Sequence, residues 1–120
     1  MSHPVVERRL AEQAALVQTA RQWAERLAKR LDLVAAVVFG SVARGDFNKW
    51  SDLDVLVVAQ RLPPSGRARL EILMQDAPPG LQPVGWTPEE LTARRQRGDP
   101  IARECDAVGV TVFGTLPPSA

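Results

Sequence analysis

Residues Val37 to Ala59 read VVFGSVARGDFNKWSDLDVLVVA. An apolar run, Val34 to Phe39, stops at Gly40-Ser41. Ten residues later comes Asp52-Leu53-Asp54, and a second apolar run, Val55 to Ala59, follows. Valine is prominent in both runs, so Leu33 to Phe39 and Leu53 to Ala59 read as buried strands. Between them, Val42 to Gly45 is expected to start a short helix and Asp46 to Trp50 to form a loop. Two strands thus frame a polar turn that carries a Gly-Ser and a pair of carboxylates.

Side chains alternate along a strand, so Asp52 and Asp54 should share one face, about 6–7 Å apart. Both can then converge on one cation or cation pair. Mg²⁺ suits such a site, because it takes a few carboxylates together with phosphate oxygens and water. Two such ions about 3.5–4 Å apart can clamp the attacking and leaving oxygens of a phosphoryl transfer. Gly40 would let backbone approach a ligand closely, and the Ser41 hydroxyl can donate to a phosphate oxygen. A helix beginning at Val42 would turn its free N–H groups towards a bound anion. Arg44 either neutralises phosphate charge or pairs with a nearby acid. Taken alone, Asp-Leu-Asp is a strand cap and Gly-Ser a turn. Four residues fixed at one spacing arise by chance on the order of 10⁻⁵ per start position, which favours the functional reading.

Working outward, Pro4 to Leu31 reads as one long helix. Val6, Leu10, Ala14, Val17, Ala20, Ala24, Leu27 and Leu31 form its apolar stripe. Pro4 suits the first helical position, and Arg8, Glu12, Gln22, Arg26 and Lys29 make a solvated face. Trp23 belongs to the core, Trp50 is expected to pack rather than to stack on a base, and His3 lies away from the site. Downstream, a helix is expected from about Gly66 to Asp76 and a third strand from Leu81 to Trp86. Pro83 puts that strand at an edge or makes it irregular. Thr87-Pro88-Glu89-Glu90 starts a helix with a capping box, Gly98 ends it, and Asp99-Pro100 begins another through about Ala107. Val108 to Leu116 is the fourth strand. Helices alternating with strands predict an α/β or α+β sheet with helices packed on it.

The 120 residues are 45% hydrophobic and 24% charged, an ordinary globular composition that predicts one domain over 1–120. A net charge of +1 gives no sign of general nucleic-acid binding. The lone Cys105 excludes an intramolecular disulfide and fits a reducing compartment. The chain start shows no basic segment followed by an apolar one, and no apolar run approaches the roughly 20 residues of a membrane span. A soluble, cytoplasmic protein is expected.

Gly40, Ser41, Asp52 and Asp54 meet, without a gap, the signature Gly-Ser, ten residues, Asp-x-Asp. The stretch therefore resembles the nucleotidyltransferase superfamily of the DNA polymerase beta type. Ala43-Arg44-Gly45 and Ser51-Asp52-Leu53-Asp54 look like the minimal nucleotidyltransferase proteins in particular. The resemblance implies a mixed sheet of about four strands flanked by helices. It also implies Mg²⁺ held by Asp52 and Asp54, and an NTP, ATP being favoured, held by Gly40, Ser41 and Arg44. The implied reaction moves a nucleoside monophosphate to a hydroxyl. Many minimal members are paired with an HEPN-domain protein, as antitoxin to toxin, and some adenylylate that partner. A catalytically weak nucleotide-binding antitoxin that acts by contact is the alternative, and a homo-oligomer stays open. Larger active relatives place a third carboxylate on the next strand, but Leu81 to Trp86 holds no acid. Asp76, Glu89 and Glu90 flank that strand, and a partner chain could also complete the site. So short a chain leaves little room for a substrate-binding domain, so the acceptor is expected on another chain.

Overall fold

A computed structural model describes residues 3–119. The elements run α1 (Pro4–Ala28), β1 (Leu33–Phe39), α2 (Gly40–Arg44), β2 (Leu53–Ala59), α3 (Gly66–Met74), β3 (Leu81–Trp86), α4 (Pro88–Gln96), α5 (Pro100–Val108) and β4 (Val110–Gly114). Every expected element is present. Boundaries differ in four elements: α1 stops at Ala28 instead of Leu31, α2 starts at Gly40 instead of Val42, α3 stops at Met74 instead of about Asp76, and β4 is shorter at both ends. Pro4 occupies the first turn of α1, and His3 caps that helix through its ring.

The strands form one mixed sheet in the order β3-β2-β1-β4. β1 pairs antiparallel with both β2 and β4, while β2 and β3 are parallel. Pro83 lies on β3, an edge strand, where a missing N–H leaves no gap in an interior ladder. Val55, Val57 and Ala59 of β2 face a cluster with Ala20, Trp23, Ala24 and Leu27 of α1 and Leu73 of α3. Leu56 and Val58 face the other way, onto Leu91 of α4 and Ala102 and Cys105 of α5. The fully apolar β2 run is thus explained by helices on both faces.

Only the second half of the α1 stripe is covered. Val5, Val6 and Leu10 are each more than half exposed, Leu10 at 59%. Geometry explains the difference: 25 helical residues span about 37 Å, whereas a seven-residue strand spans about 23 Å. The helix therefore overhangs the sheet.

Thr87 and Glu90 form the expected capping box. Glu90 Oε1 accepts from Thr87 N at 2.8 Å and from Arg69 Nη1 at 2.7 Å. Arg69 also donates to the carbonyls of Pro63 and Gly85, so one carboxylate ties α4 to α3 and β3. The Arg69 hydrogen bond, helped by Thr87, holds the Glu90 carboxyl below the usual carboxylate range. Such a group stabilises the fold above its unfolded pKa, and the contribution is lost as pH falls through its folded value. Glu90→Ala is expected to lower stability by about 1–2 kcal/mol at neutral pH. In thermal melts the deficit should shrink below about pH 4; a pH-independent deficit would assign it to lost packing instead.

Candidate active site

β1 delivers the chain to Gly40, and in the antiparallel ladder Phe39 pairs with Asp54. Asp54 therefore lies across from the residue that precedes the Gly-Ser turn. Gly40 has φ of 76°, and a Cβ built there would collide with Asp54 Oδ2 and lie 3.4 Å from its Cγ. Glycine is what allows the turn to close against this carboxylate. The Ser41 carbonyl accepts from Gly45 N at 2.9 Å and Asp46 N at 3.1 Å, which ends α2 after five residues.

Asp54 follows the same alternation as Leu56 and Val58, whose face is covered by α4 and α5. This placement has two consequences. Partial burial, then the charges of Asp52 and Glu104, push the Asp54 carboxyl up, with Arg44 opposing them. In addition α5, packed on that face through Ala102 and Cys105, brings Glu104 to the turn. Glu104 Oε1 accepts from Gly40 N at 3.1 Å and from Arg44 Nη1. Arg44 Nε also donates to Asp46 Oδ2 at 3.3 Å. These two hydrogen bonds, Asp46 first, push the guanidinium pKa up. Of the two roles open to Arg44 from the sequence, the ion pair is formed here.

Gly40, Arg44, Asp54 and Glu104 thus meet at one end of β1 and β2, with Asp52 one residue ahead of β2. Glu104 carries no sequence motif and stands fifty residues beyond Asp54. The usable signal was indirect: Ile101, Ala102 and Cys105 mark the apolar side of α5, and the neighbour of Cys105 rides along its rim.

The flanking acids singled out from the sequence do not reach this place. Asp76 pairs with Arg26 of α1 at 2.7 Å, and Glu90 is committed to Arg69 and Thr87. Glu89 lies exposed in the first turn of α4. On β3 the register neighbour of Asp54 is Gln82, an amide. Among the described residues, no group of three or more His, Cys, Asp or Glu side chains could hold a metal ion by itself.

The loop between the two halves of the motif is pinned by α1. Arg9 donates to the carbonyls of Gly45 and Phe47, and its guanidinium sits 4.7 Å over the Phe47 ring. Gln13 donates to Val42 O at 2.7 Å. Phe47, not Trp50, is therefore the aromatic anchor. Trp50 is 81% exposed with Lys49 Nζ 5.0 Å over its ring, so the expectation that it packs is wrong. The reason is local: Trp50 N is held in a tight turn by Asn48 Oδ1, which leaves the indole outside the loop. Glu12, Ala15 and Leu16 of α1 line a cavity of about 410 Å³ with Phe47, Asn48, Lys49 and Ser51. Cys105 is buried, which pushes its thiol up to about 12 and leaves it unsuited to nucleophilic chemistry.

The chain belongs to the nucleotidyltransferase domain family, whose profile matches residues 20–83, just over half of its length. A candidate nucleotidyltransferase from Sulfolobus solfataricus has a similar crystal structure. It is 18% identical with a TM-score of 0.67, over 93% of this chain and 92% of that one. A second similar structure, described as a toxin-antitoxin with AMP-PNP, is also 18% identical, with a TM-score of 0.51 over 79% of this chain and 73% of that one. These likenesses establish the mixed-sheet fold. No curated protein matches the chain. No described helix is long and apolar enough to cross a membrane.

Proposed function

We propose that this nucleotidyltransferase is Mg²⁺-dependent and moves AMP from ATP to a hydroxyl on a partner protein of the HEPN type, as an antitoxin does to its toxin. The observation that carries the reading is the closure of Gly40 on Asp54 with Asp52 two residues ahead. The donor set fits the metal. Asp52 and Asp54 offer hard oxygen ligands, and the uncompensated charge felt by Asp54 is what a divalent cation relieves. The pair leaves several coordination positions for phosphate oxygens and water, as Mg²⁺ prefers. When bound, Mg²⁺ supplies charge neutralisation of the triphosphate and of the departing pyrophosphate.

The chain's own groups bind and orient. The Gly40-Ser41 backbone and the Ser41 hydroxyl face phosphate oxygens, and Arg44 neutralises charge on them. The hydroxyl oxygen of the acceptor bonds to the α-phosphorus and gives up its proton to water, the bond to the bridging oxygen breaks, and pyrophosphate leaves with the electron pair. A positioned base normally contributes about 10²–10⁴ in rate. The strand beside Asp54 offers Gln82 instead of an acid. The isolated chain is therefore expected to be slow towards small acceptors, with transfer appearing when the partner is present. Labelled ATP tests this with the chain alone, with its partner, and with Asp52→Ala, which should abolish transfer. Fast transfer by the chain alone to generic acceptors would reject the need for a partner.

A second reading, a binding module with a residual nucleotide site, draws on the overhanging turns of α1. Val5, Val6 and Leu10 lie exposed there, close in sequence to the Arg9 that pins the motif loop. The toxin-antitoxin neighbour supports either reading. A tight partner complex with no transfer under any condition would select the second.

A further inference from the structure

The two groups proposed to meet the triphosphate, Gly40 N–H and the Arg44 guanidinium, are already engaged. Both donate to the same oxygen, Glu104 Oε1. Two donors converging on one carboxylate oxygen is the arrangement a phosphate oxygen would require. We infer that Glu104 is a positioning residue that governs nucleotide affinity, its carboxylate competing with a nucleotide phosphate for Gly40 N–H and Arg44. This inference rests on the nucleotidyltransferase reading of the site.

The geometry separates this role from two others. Glu104 is not built in as a third metal ligand: no group of three such side chains among the described residues could hold a metal, and its Oε1 already accepts from two donors. Nor is it an ordinary surface pair. Exposed Arg–Glu pairs contribute little, but a backbone N–H beside a partly buried Asp54 must find an acceptor. Glu104 supplies one in the free chain. Neither donor depends on Glu104 for its place. Gly40 is set by its positive φ and by Asp54, and Arg44 keeps Asp46 on its Nε. Both donors can therefore pass from carboxylate to phosphate with little rearrangement. A bound triphosphate and the Glu104 carboxylate repel each other, so the side chain leaves as the phosphate arrives. Glu104 is half-buried at the rim of α5, which gives it solvent to swing into.

The apparent affinity of a site equals its intrinsic affinity multiplied by the fraction of open molecules. If Glu104 holds the donors nine-tenths of the time, its removal tightens binding about tenfold. Calorimetry on the full chain with Mg²⁺ and either tripolyphosphate or ATP measures this for wild type, Glu104→Gln and Glu104→Ala. The expected result is about tenfold tighter binding of both probes by Glu104→Ala and a smaller gain for Glu104→Gln, whose amide oxygen still accepts from the two donors but carries no charge. In wild type, the Gly40 amide resonance should shift as tripolyphosphate is added. Equal or weaker binding by the variants overturns the inference, as does a Gly40 amide that stays in place or an absence of binding by all three proteins. Tightened tripolyphosphate binding without ATP transfer under any condition upholds the competition and rejects the transferase reading. Transfer by wild type with no tightening in the variants does the reverse.

Discussion

Asp54→Asn should weaken Mg²⁺-dependent ATP binding at least about 100-fold while making the metal-free chain more stable. The two effects have one origin. Asp54 is partly buried and feels the charges of Asp52 and Glu104, with only Arg44 opposing them. In the absence of metal that charge is a burden on the fold. An amide has nearly the same shape and carries no charge, so its introduction relieves burial and repulsion together. A higher Tm in chelator is therefore expected, with solvent screening at this partly exposed carboxyl keeping the gain modest. The same repulsion is what a bound cation relieves. Without Asp54, the triphosphate meets the site through Asp52 alone, and ATP affinity in Mg²⁺ should fall at least about 100-fold, or 2.7 kcal/mol. Transfer to a protein acceptor should fall below detection. Thermal melts in chelator and calorimetry with Mg²⁺ and ATP check the pair of outcomes. An Asn variant that melts lower than wild type in chelator and still binds ATP would show that Asp54 serves the fold instead of the ligand.

That opposition between stability and function explains why the sequence was so readable here. The Gly-Ser and Asp-x-Asp groups break the apolar strands at a fixed spacing, and no packing demand accounts for paired carboxylates at the mouth of a sheet. The strands themselves were legible because β2 is covered on both faces, which demands an unbroken apolar run. Pro83 announced an edge strand, and Thr87-Pro88-Glu89-Glu90 announced α4, because each works through backbone chemistry local to a few residues. What could not be read depends on contacts distant in sequence. Glu104 reaches Gly40 from 64 positions away, and nothing local to α5 marks it as different from Glu89 or Asp106. The burial of Phe47 and the exposure of Trp50 turn on Arg9 and Asn48, two further partners outside the periodic pattern. The exposed half of α1 was hidden for a related reason. Helical spacing reports which residues share a face, not whether a sheet is long enough to cover it.

Gly40→Ala should cost about 2–4 kcal/mol of stability and remove ATP binding with both carboxylates intact. Two terms add. A positive φ of 76° disfavours any residue with a Cβ, by roughly 1–2 kcal/mol. The new methyl group would also collide with Asp54 Oδ2, so either the carboxylate moves or the turn opens. Both responses break the closure on which the site depends. The terms can be separated, because only the second involves Asp54. In an Asp54→Ala background the nearest remaining atom of residue 54 is its Cβ, 3.5 Å from the added methyl, an ordinary contact. The double variant Gly40→Ala/Asp54→Ala should therefore recover the collision share and be more stable than Gly40→Ala alone, with a coupling of about 1–2 kcal/mol. Denaturant melts of the four proteins measure the cycle, and ATP titration in Mg²⁺ follows the site. Additive stabilities would mean that Gly40 and Asp54 do not touch. An alanine at position 40 that binds ATP as wild type does would show that the turn is not the phosphate cradle.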